Sequence, residues 1–280
     1  MNEHKEVIKH SAAIHIQNNI TLLQRRAWNV LLANAYDDLP TEERYHIRVK
    51  ELMHILEFDS KNEAHLKEAL KALATCGVEW NILDKDGKQE WGVTTLLAEA
   101  VIKRGTCTYA YGPTLRERLH NPKMYARISL SMQNKFVSKH AQALWELCVD
   151  YLDESRNCGE TRYIPLADYR KLMGISEDQY PEFKKLNKWV IKDPVEEINQ
   201  VTDFYVEPDY QRKQRTVSAV KFKVRRTLQL PGQYSTQASL FPDYEDAPMV
   251  WELKHAGLSI DEAWRIWQQR FEIVQPDKRP

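Results

Sequence analysis

Positive charge is concentrated in residues 180–226, in a pattern that suits binding to a polyanion. In the first half of this segment, apolar residues recur every three to five positions, which predicts a helix with one apolar face. These apolar residues are Phe183, Leu186, Val190, Val195 and Ile198. The lysines fall mostly on the other side of the predicted helix, where they could contact phosphates or base edges. These lysines are Lys184, Lys185, Lys188 and Lys192.

The second half of the segment alternates apolar and basic residues, which predicts a strand with one basic face. The apolar positions are Val217, Val220, Phe222 and Val224, and the basic positions among them are Lys221, Lys223 and Arg225. Residues 210–226 contain seven Lys or Arg and no acid. A basic helix followed by a basic hairpin is typical of a winged helix, which places the helix in the DNA major groove and the hairpin on the backbone. The alternative is a solvated helix next to a charged edge strand.

Composition places the chain among ordinary globular proteins. Its 280 residues suggest about two domains, and 42% of them are hydrophobic and 29% charged. Forty basic and forty acidic residues cancel, so net charge gives no indication of a nucleic-acid partner. The sequence has no apolar run long enough to span a membrane, and its start is polar and charged. We therefore expect a cytoplasmic protein with no membrane partner.

No catalytic or metal site is predicted. The four cysteines lack CxxC spacing and neighbouring His pairs, which argues against zinc and against disulfides. A GxxxxGK[ST] loop is missing, and the nine histidines never form the His-apolar-His triplet that enzymes nicking replication origins use beside a nucleophilic Tyr. Adjacent carboxylates such as Glu196 and Glu197 are typical of a solvated helix face. We therefore expect a protein that is not an enzyme and needs no cofactor.

Residues 1–135 are predicted to form a first winged helix. After a polar arm, helices are predicted in LLQRRAWNVLLANAY, VKELMHILEF and NEAHLKEALKALATC. The helices are followed by a pattern typical of one hairpin, in which the DG pair marks the turn. It consists of VEWNIL, the turn DKDGK and WGVTTLLAEAVIKRGTCTYAYG. The stretch TTLLAEAVIK is apolar and weakly charged for a wing, so we expect its exposed edge to form a dimer surface.

Residues 136–228 are predicted to repeat this order of elements. Helices are predicted in SKHAQALWELCVDYLDES and LADYRKLMG, followed by the basic helix and the basic hairpin. An offset of 117 residues places six apolar positions of the two halves in one register: Trp28 on Trp145, Ile47 on Ile164, Val49 on Leu166, Ile55 on Leu172, Leu66 on Phe183 and Leu73 on Val190. The pattern predicts an α+β fold with two tandem winged-helix domains related by pseudo-symmetry.

Residues 229–280 are predicted to form a linker and a C-terminal helical tail. The stretch TLQLPGQYSTQASLFPDYEDAP contains three prolines and many small polar residues, which is typical of a linker. The following MVWELKHAGLSIDEAWRIWQQRFEIV has helical spacing that breaks at Gly257 and restarts at SIDEA.

Three stretches of the chain resemble the initiator replication proteins of iteron-containing bacterial plasmids. They are FVSKHAQALWELCVDYL, YIPLADYRKLMGI and YPEFKKLNKWVIKDPVEEINQVTDFYVE. The last stretch carries the family pattern F-K-x-L-x-x-x-V-x-x-P-hydrophobic-x-E-I-N-x-x-T-D. The matching residues are Phe183, Lys184, Leu186, Val190, Pro194, Glu197, Ile198, Asn199, Thr202 and Asp203. The resemblance is best over residues 136–226, weaker over residues 20–135, and absent beyond residue 227.

The resemblance implies two winged-helix domains, binding to directly repeated sites in double-stranded origin DNA, and recruitment of host replication proteins. It also implies a homodimer in equilibrium with monomer that can repress its own gene. In the family the second domain supplies the main major-groove helix, and the first contributes DNA contacts and the dimer surface. Carried over by position, the candidate DNA-binding residues of the second domain's helix are Lys184, Lys185, Asn187, Lys188 and Lys192.

Further DNA-binding candidates lie in the second hairpin and in the first domain. In the hairpin, charge and period indicate Arg212, Lys213, Arg215, Lys221 and Arg225. In the equivalent helix of the first domain the candidates are Lys61, Lys67 and Lys71. Because Glu63 and Glu68 dilute the charge of that helix, we expect weaker or more backbone-directed contacts there.

The predicted linker contains the pentapeptide QASLF, which resembles the Q-x-[SD]-L-F peptide by which bacterial replication proteins bind the sliding clamp. The residues of this candidate clamp-binding motif are Gln237, Ser239, Leu240 and Phe241, while Ala238 replaces the commoner Leu. An extended segment could insert its two large apolar side chains into a groove of the clamp. The alternative is that these side chains attach the tail to the rest of the protein.

The sequence is compatible with three functions. The leading hypothesis is a plasmid replication initiator without enzymatic activity. The alternatives are a winged-helix transcriptional regulator with no replication role, and an enzyme of the nicking or primase type. Binding to tandem direct repeats would separate the first hypothesis from the second, and the missing His triplet argues against the third.

Overall fold

Residues 6–10 form a strand, which pairs with a second strand more than a hundred residues later in the chain. In the computed structural model of the protein, the described residues are 6–16, 19–57, 63–80, 82–83, 87, 92–119 and 125–227. Strand β1 (Glu6–His10) leads into the short helix α1 (Ser11–Ile14). The prediction of a polar arm was therefore wrong for these residues, and Val7 and Lys9 of β1 are fully buried.

The first predicted domain contains the three expected helices and more strands than expected. Its elements after α1 are α2 (Leu22–Ala35), a 3₁₀ turn (Tyr36–Asp38), β2 (Tyr45–Arg48), α3 (Val49–Ile55), α4 (Glu63–Thr75), β3 (Gly77–Trp80), β4 (Gly92–Thr95), β5 (Glu99–Lys103), β6 (Thr106–Ala110) and α5 (Pro113–Leu119). Thr21 caps α2 by accepting a hydrogen bond from the Gln24 backbone N–H, and the Gln24 side chain accepts one from the Thr21 backbone N–H.

Two hairpins replace the single hairpin predicted for the first domain. Strands β3 and β4 pair antiparallel, as predicted, but β5 and β6 form a second hairpin and join β2 in the order β2-β6-β5. The predicted long strand is interrupted between β4 and β5, because Leu96 and Leu97 turn into the core. There the Leu97 N–H donates to the Leu73 carbonyl at 3.0 Å. Arg104 and Gly105 have φ angles of 51° and 76°, which the tight turn between β5 and β6 requires.

The second predicted domain follows the predicted order. Strand β7 (Tyr125–Ser129) and helix α6 (Leu130–Gln133) precede it, at the end of the first predicted domain. Its own elements are α7 (Lys139–Tyr151), β8 (Cys158–Glu160), β9 (Ile164–Pro165), α8 (Leu166–Met173), α9 (Phe183–Leu186), a π-helical turn (Asn187–Lys192), α10 (Asp193–Val201), β10 (Phe204–Lys213) and β11 (Thr216–Arg226). Strand β11 lies between β10 and the short β8, and β9 also pairs with it.

The predicted repeat coincides with the element boundaries. An offset of 117 residues carries α2 onto α7 and α3 onto α8, with each start in register. Trp28 and Trp145, which the offset superposes, are both buried, as are Ile47 and Ile164. Strands β1 and β7 pair antiparallel from Glu6 opposite Ser129 to His10 opposite Tyr125, and each leads into a short helix. The two halves are therefore related locally by an approximate two-fold axis through this strand pair.

One hydrophobic core runs through both predicted domains. Buried side chains of α2, α7, α8 and the hairpin of β10 and β11 belong to the same cluster. Among the described residues, no helix has the length and apolar character needed to cross a membrane.

Candidate nucleic-acid interface

Residues 183–201 form one continuous helix, hereafter the basic helix, made of α9, the π-helical turn and α10. Its inner side is fixed by apolar side chains, since Leu186, Val190, Ile191 and Ile198 are nearly or fully buried. The predicted lysines lie on the outer side, and all are exposed: Lys184, Lys185, Lys188 and Lys192. The sequence period therefore predicted this face correctly, and the two adjacent buried residues at 190 and 191 belong to the π-helical turn.

A proline in the middle of the basic helix is compensated by a buried hydroxyl. Pro194 has no N–H to donate to the carbonyl of Val190, one turn earlier. The Tyr169 hydroxyl of α8 donates to that carbonyl at 2.7 Å. Burial raises the pKa of Tyr169 well above its ordinary value, so the group stays protonated and remains a donor. Helix α8 thereby holds the basic helix at its centre.

Polar residues of the family pattern over residues 183–203 hold the basic helix in place through hydrogen bonds to neighbouring elements. The Glu197 carboxylate accepts hydrogen bonds from the backbone N–H groups of Val137 and Ser138, at the start of α7. Asn199 donates to the Val206 carbonyl at 3.1 Å and accepts from the Val206 N–H at 2.7 Å, which ties the helix to β10. Thr202 donates to the Ile198 carbonyl at 2.8 Å and closes the helix.

The start of the basic helix is attached to the hairpin through an aromatic contact. The rings of Phe183 and Tyr210 meet edge to face with their centroids 5.9 Å apart. The Tyr210 hydroxyl donates to the Asn187 side-chain oxygen at 2.5 Å, and burial raises the pKa of Tyr210 to about 12. Asn187 was predicted to face DNA, and the structure places it half-buried between the helix and the hairpin.

The long hairpin of β10 and β11 is less basic along its length than the sequence indicated. Strand β10 places Glu207 opposite Lys223 and Asp209 opposite Lys221. Lys221 lies 3.1 Å from Glu160 and 3.9 Å from Asp209, and only 15% of its side chain is exposed. The hydrogen bond to Glu160 raises the pKa of Lys221. The acids beside this strand neutralise part of the charge that residues 210–226 carry in isolation.

Basic residues at the end of the strand pack on aromatic rings. The Arg225 guanidinium lies 5.1 Å from the ring of Tyr205, its partner in the strand register. Arg226 lies 5.3 Å from the ring of Phe204 and 3.3 Å from Asp203. Of the hairpin candidates, Lys221 and Arg225 are thus held against the sheet by neighbouring side chains.

The tip of the hairpin carries the exposed positive charge. Arg212, Lys213 and Arg215 are exposed, and none of them forms an ion pair with any other residue that the structure describes. A register shift between Gln211 and Arg212 pairs Arg212 with Val217 and leaves Ser218 as an extra residue. This bulge explains why the alternation of residues 217–224 changes phase. On the basic helix, Lys185 forms an exposed ion pair with Glu182 at 3.1 Å. The basic helix and the hairpin tip thus provide two separate clusters of exposed cations, as a winged helix does.

An exposed tryptophan on the basic helix was not predicted. Trp189 is 50% exposed and follows Lys188, whose ammonium lies 4.3 Å from the ring centroid. The charge pattern identifies lysines, and it contains no information about an apolar residue among them. Its position among four exposed lysines, on the face opposite the apolar period, is the sequence signal that could have identified it.

The equivalent helix of the first domain, α4, carries fewer free cations. Lys67 forms an ion pair with Glu63 at 2.9 Å, and both side chains are about half exposed. Lys71 is exposed, whereas Lys61 lies outside the described residues. Weaker DNA contacts by this helix stay a prediction.

Strand β5 forms the free edge of its three-stranded sheet, within the predicted dimer segment. Among the strands that the structure describes, the order β2-β6-β5 leaves β5 paired on one side only, and Val101 in its centre is 52% exposed. The edge thus offers unpaired backbone groups and an apolar side chain.

A buried ionic cluster, which the sequence did not reveal, joins the two predicted domains. We call Lys9, Arg25, Asn29, Gln133, Gln142 and Glu146 the junction cluster; all are buried. The Glu146 carboxylate lies 2.7 Å from the Lys9 ammonium and 2.6 Å from the Arg25 guanidinium. Asn29 and Gln142 donate to its other oxygen at 2.9 Å and 3.2 Å. A second buried contact lies beside it, since Ser11 donates to Asp150 at 2.5 Å.

One carboxylate must compensate two cations in the junction cluster. The pKa of Lys9 is lowered to about 8, because burial and the neighbouring Arg25 together outweigh the opposing effect of Glu146. Burial alone would raise the pKa of Glu146, but Arg25 and Lys9 outweigh burial and hold it at about 2. Because the residues come from β1, α2, α6 and α7, the cluster fixes the two halves relative to each other.

The described residues give no indication of a metal centre. Among them, no group of three or more His, Cys, Asp or Glu side chains is placed to hold a metal ion. The four cysteines are not joined in disulfides. The predicted clamp-binding motif, linker and tail all lie outside the described residues.

Two family models match the chain. The one described as initiator replication protein, WH1, matches residues 6–149, and the one described as initiator Rep protein, WH2, matches residues 165–224. No curated protein matches in the sequence comparison.

Solved structures resemble the chain at low sequence identity and to different extents. A crystal structure of the Pi initiator protein in complex with iteron DNA matches with a TM-score of 0.63 and 16% identity, covering 82% of this chain and 100% of that one. A structure of domains 2 and 3 of RctB matches with a TM-score of 0.43 and 7% identity, covering 75% and 83%. The first of these supports the fold of two winged-helix domains that the family models describe.

Proposed function

The chain belongs to the initiator replication protein family, and from this premise we propose that it starts plasmid replication by binding directly repeated double-stranded DNA at an origin. The observation that carries the proposal is the exposed basic face in the second winged helix, on a chain that both initiator models match. The Pi initiator protein, which has the same fold, was crystallised in complex with iteron DNA.

The basic helix is proposed to enter the major groove with its lysine face. The Tyr169 hydroxyl of α8 binds the middle of the helix, and Asn199 ties its end to β10. The lysines are therefore presented on a rigid element. Lysine ammonium groups can donate to guanine O6 and N7 or to phosphates. Lys188 is central on this face and is our candidate for a base contact.

The hairpin tip is proposed to contact the phosphate backbone. Arg212 and Lys213 at the end of β10, and Arg215 in the turn that follows, are exposed and lie far along the strands from the base of the hairpin. Contacts of this kind carry little sequence information, but they fix the register of the helix and release counterions.

The junction cluster is proposed to set the distance between the two winged helices. A protein that reads DNA with two modules requires a fixed relation between them, because each module must meet its own stretch of groove. The buried contact of Glu146 with Lys9 and Arg25 supplies this rigidity.

Further partners belong to the same proposal. We propose a homodimer in equilibrium with monomer through the free edge of β5, repression of the protein's own gene, and recruitment of host replication proteins in the bacterial cytoplasm. The sliding clamp is a candidate partner for the QASLF peptide.

The alternative of a transcriptional regulator without a replication role is not favoured, because both matching models describe replication initiators. A plasmid-establishment assay separates the two functions. A circular DNA that carries this gene, its flanking repeats and a selectable marker should replicate in a host that lacks any other origin for it. Scrambling the repeats should abolish replication. Repression of a reporter gene without any replication would instead support the regulator.

A further inference from the structure

Trp189 stands apart from the other tryptophans whose side chains the structure describes. Trp28 and Trp145 are buried in the core, whereas Trp189 is 50% exposed. Its helix neighbours include two cations, since Lys185 lies one turn earlier, where it pairs with Glu182, and Lys188 is adjacent. One turn later lies the half-buried Asp193. The tryptophan therefore adds a large apolar surface to a face whose charge complements DNA.

We infer that Trp189 reads a thymine methyl group in the major groove, an inference that rests on the proposed function. Thymine is the one base that presents a methyl group in the major groove, and apolar side chains contact it directly. The basic helix is the element proposed to enter that groove, and the ring of Trp189 projects from its lysine face. Lysines at 185, 188 and 192 would bind the surrounding phosphates and base edges while the ring covers the methyl group.

The contact of Lys188 with the ring prepares this arrangement. In the free protein its ammonium lies 4.3 Å from the ring centroid, where a cation is attracted to the π-electrons. The contact restrains both side chains on an exposed surface. Trp189 therefore meets the DNA with part of its rotational freedom already lost, which lowers the entropic cost of a specific contact.

The test uses deoxyuridine, which lacks only the methyl group of thymidine. A site is first selected from a pool of random-sequence duplexes with the full-length protein, and each thymine of that site is then replaced singly by uracil. For the unmodified protein, replacement at one or two positions should weaken binding about fourfold each, the value of one buried methyl group. Trp189→Ala should remove this sensitivity at those positions and keep the sensitivity of any others.

Three variants keep the test decisive. Tyr125→Ala removes another aromatic side chain that is 47% exposed, on β7, and should keep the full pattern. Trp189→Gln places an unbranched polar side chain without an aromatic ring on the helix, and it should lose the sensitivity as Trp189→Ala does. If one of these two variants fails to fold, the other still gives the result. Trp189→Phe should retain part of it.

The inference is overturned if Trp189→Ala and Trp189→Gln bind the selected site with the same dependence on each thymine methyl group as the unmodified protein. It is also overturned if they lose affinity only for single-stranded oligo(dT), because stacking on unpaired bases would then explain the residue. Failure to select any preferred duplex would instead refute the proposed function together with this inference.

Discussion

Replacing Glu146 by Gln should destabilise the protein strongly, because it removes the one anion of the junction cluster. Lys9 and Arg25 lie within 2.7 Å of the same carboxylate oxygen. The amide of glutamine keeps the shape of the side chain but carries no charge. Two buried cations would then lack a counter-charge, and an amide NH₂ group turned toward them would place donors against donors.

Two independent arguments give the magnitude. Removal of one partner from a buried ion pair costs roughly 3–5 kcal/mol. The fall in the pKa of Glu146 from its ordinary 4.5 to about 2 corresponds to about 3 kcal/mol of stabilisation. For a folded unit of this size, such a loss lowers the Tm by roughly 10 °C.

Thermal unfolding of the full-length protein at pH 7 measures the effect. Glu99→Gln is the matched control, because Glu99 pairs with Arg44 at 2.7 Å with side chains 37% and 67% exposed. An exposed pair contributes at most about 1 kcal/mol. Adding Lys9→Met to Glu146→Gln removes one uncompensated cation and should restore part of the lost stability.

The acid limb of the stability profile provides a second check. The pKa of Glu146 is lower in the folded protein than its ordinary value, so its contribution is complete above about pH 4.5 and is lost as the pH falls toward 2. The difference in Tm between the unmodified protein and Glu146→Gln should therefore shrink across this window. The reasoning is refuted if Glu146→Gln changes the Tm no more than Glu99→Gln does, or if the difference does not depend on pH.

Three further predictions concern the proposed contacts. Lys188→Ala should weaken binding to the specific site by about 1–3 kcal/mol, whereas Lys213→Ala should weaken binding to all sequences alike and lower the dependence of affinity on salt by about one phosphate contact. Unchanged affinity and salt dependence in titrations over a salt series would contradict the assignment of this face to DNA. Val101→Glu, on the free edge of β5, should shift a dimer toward monomer in sedimentation without loss of DNA binding, an expectation that fails if the unmodified protein is monomeric at every concentration. A peptide of residues 233–246 should bind purified sliding clamp, and changing Leu240 and Phe241 to Ala should abolish that binding while leaving DNA affinity intact; a double variant that instead lowers the Tm would support attachment of the tail to the protein.

The sequence predicted the helices well because their apolar periods face one continuous core. The basic helix, its exposed lysines and the repeat at an offset of 117 residues all follow from such periods. The apolar register of α2 and α7 is anchored by Trp28 and Trp145, which are buried at corresponding positions. A helix that buries one face needs apolar residues on that face, so its apolar period is visible in the sequence.

Pairings between distant parts of the chain could not be predicted from local patterns. The acids opposite Lys221 and Lys223 belong to β10 and β8, and the count of charges in residues 210–226 ignores them. Strand β1 finds its partner at β7, and nothing in EVIKH indicates that Lys9 is buried against Glu146. The second hairpin of the first domain was missed because an unbroken apolar alternation conceals the point where Leu96 and Leu97 enter the core.

The affinity for repeated DNA tests the central claim most directly. Binding of the full-length protein should be measured at one fixed salt concentration, to a duplex that carries the direct repeats flanking its gene and to a scrambled duplex of the same composition. We expect the repeats to bind at least about a thousandfold more tightly than the scrambled duplex. Equal affinity for the two duplexes would contradict it.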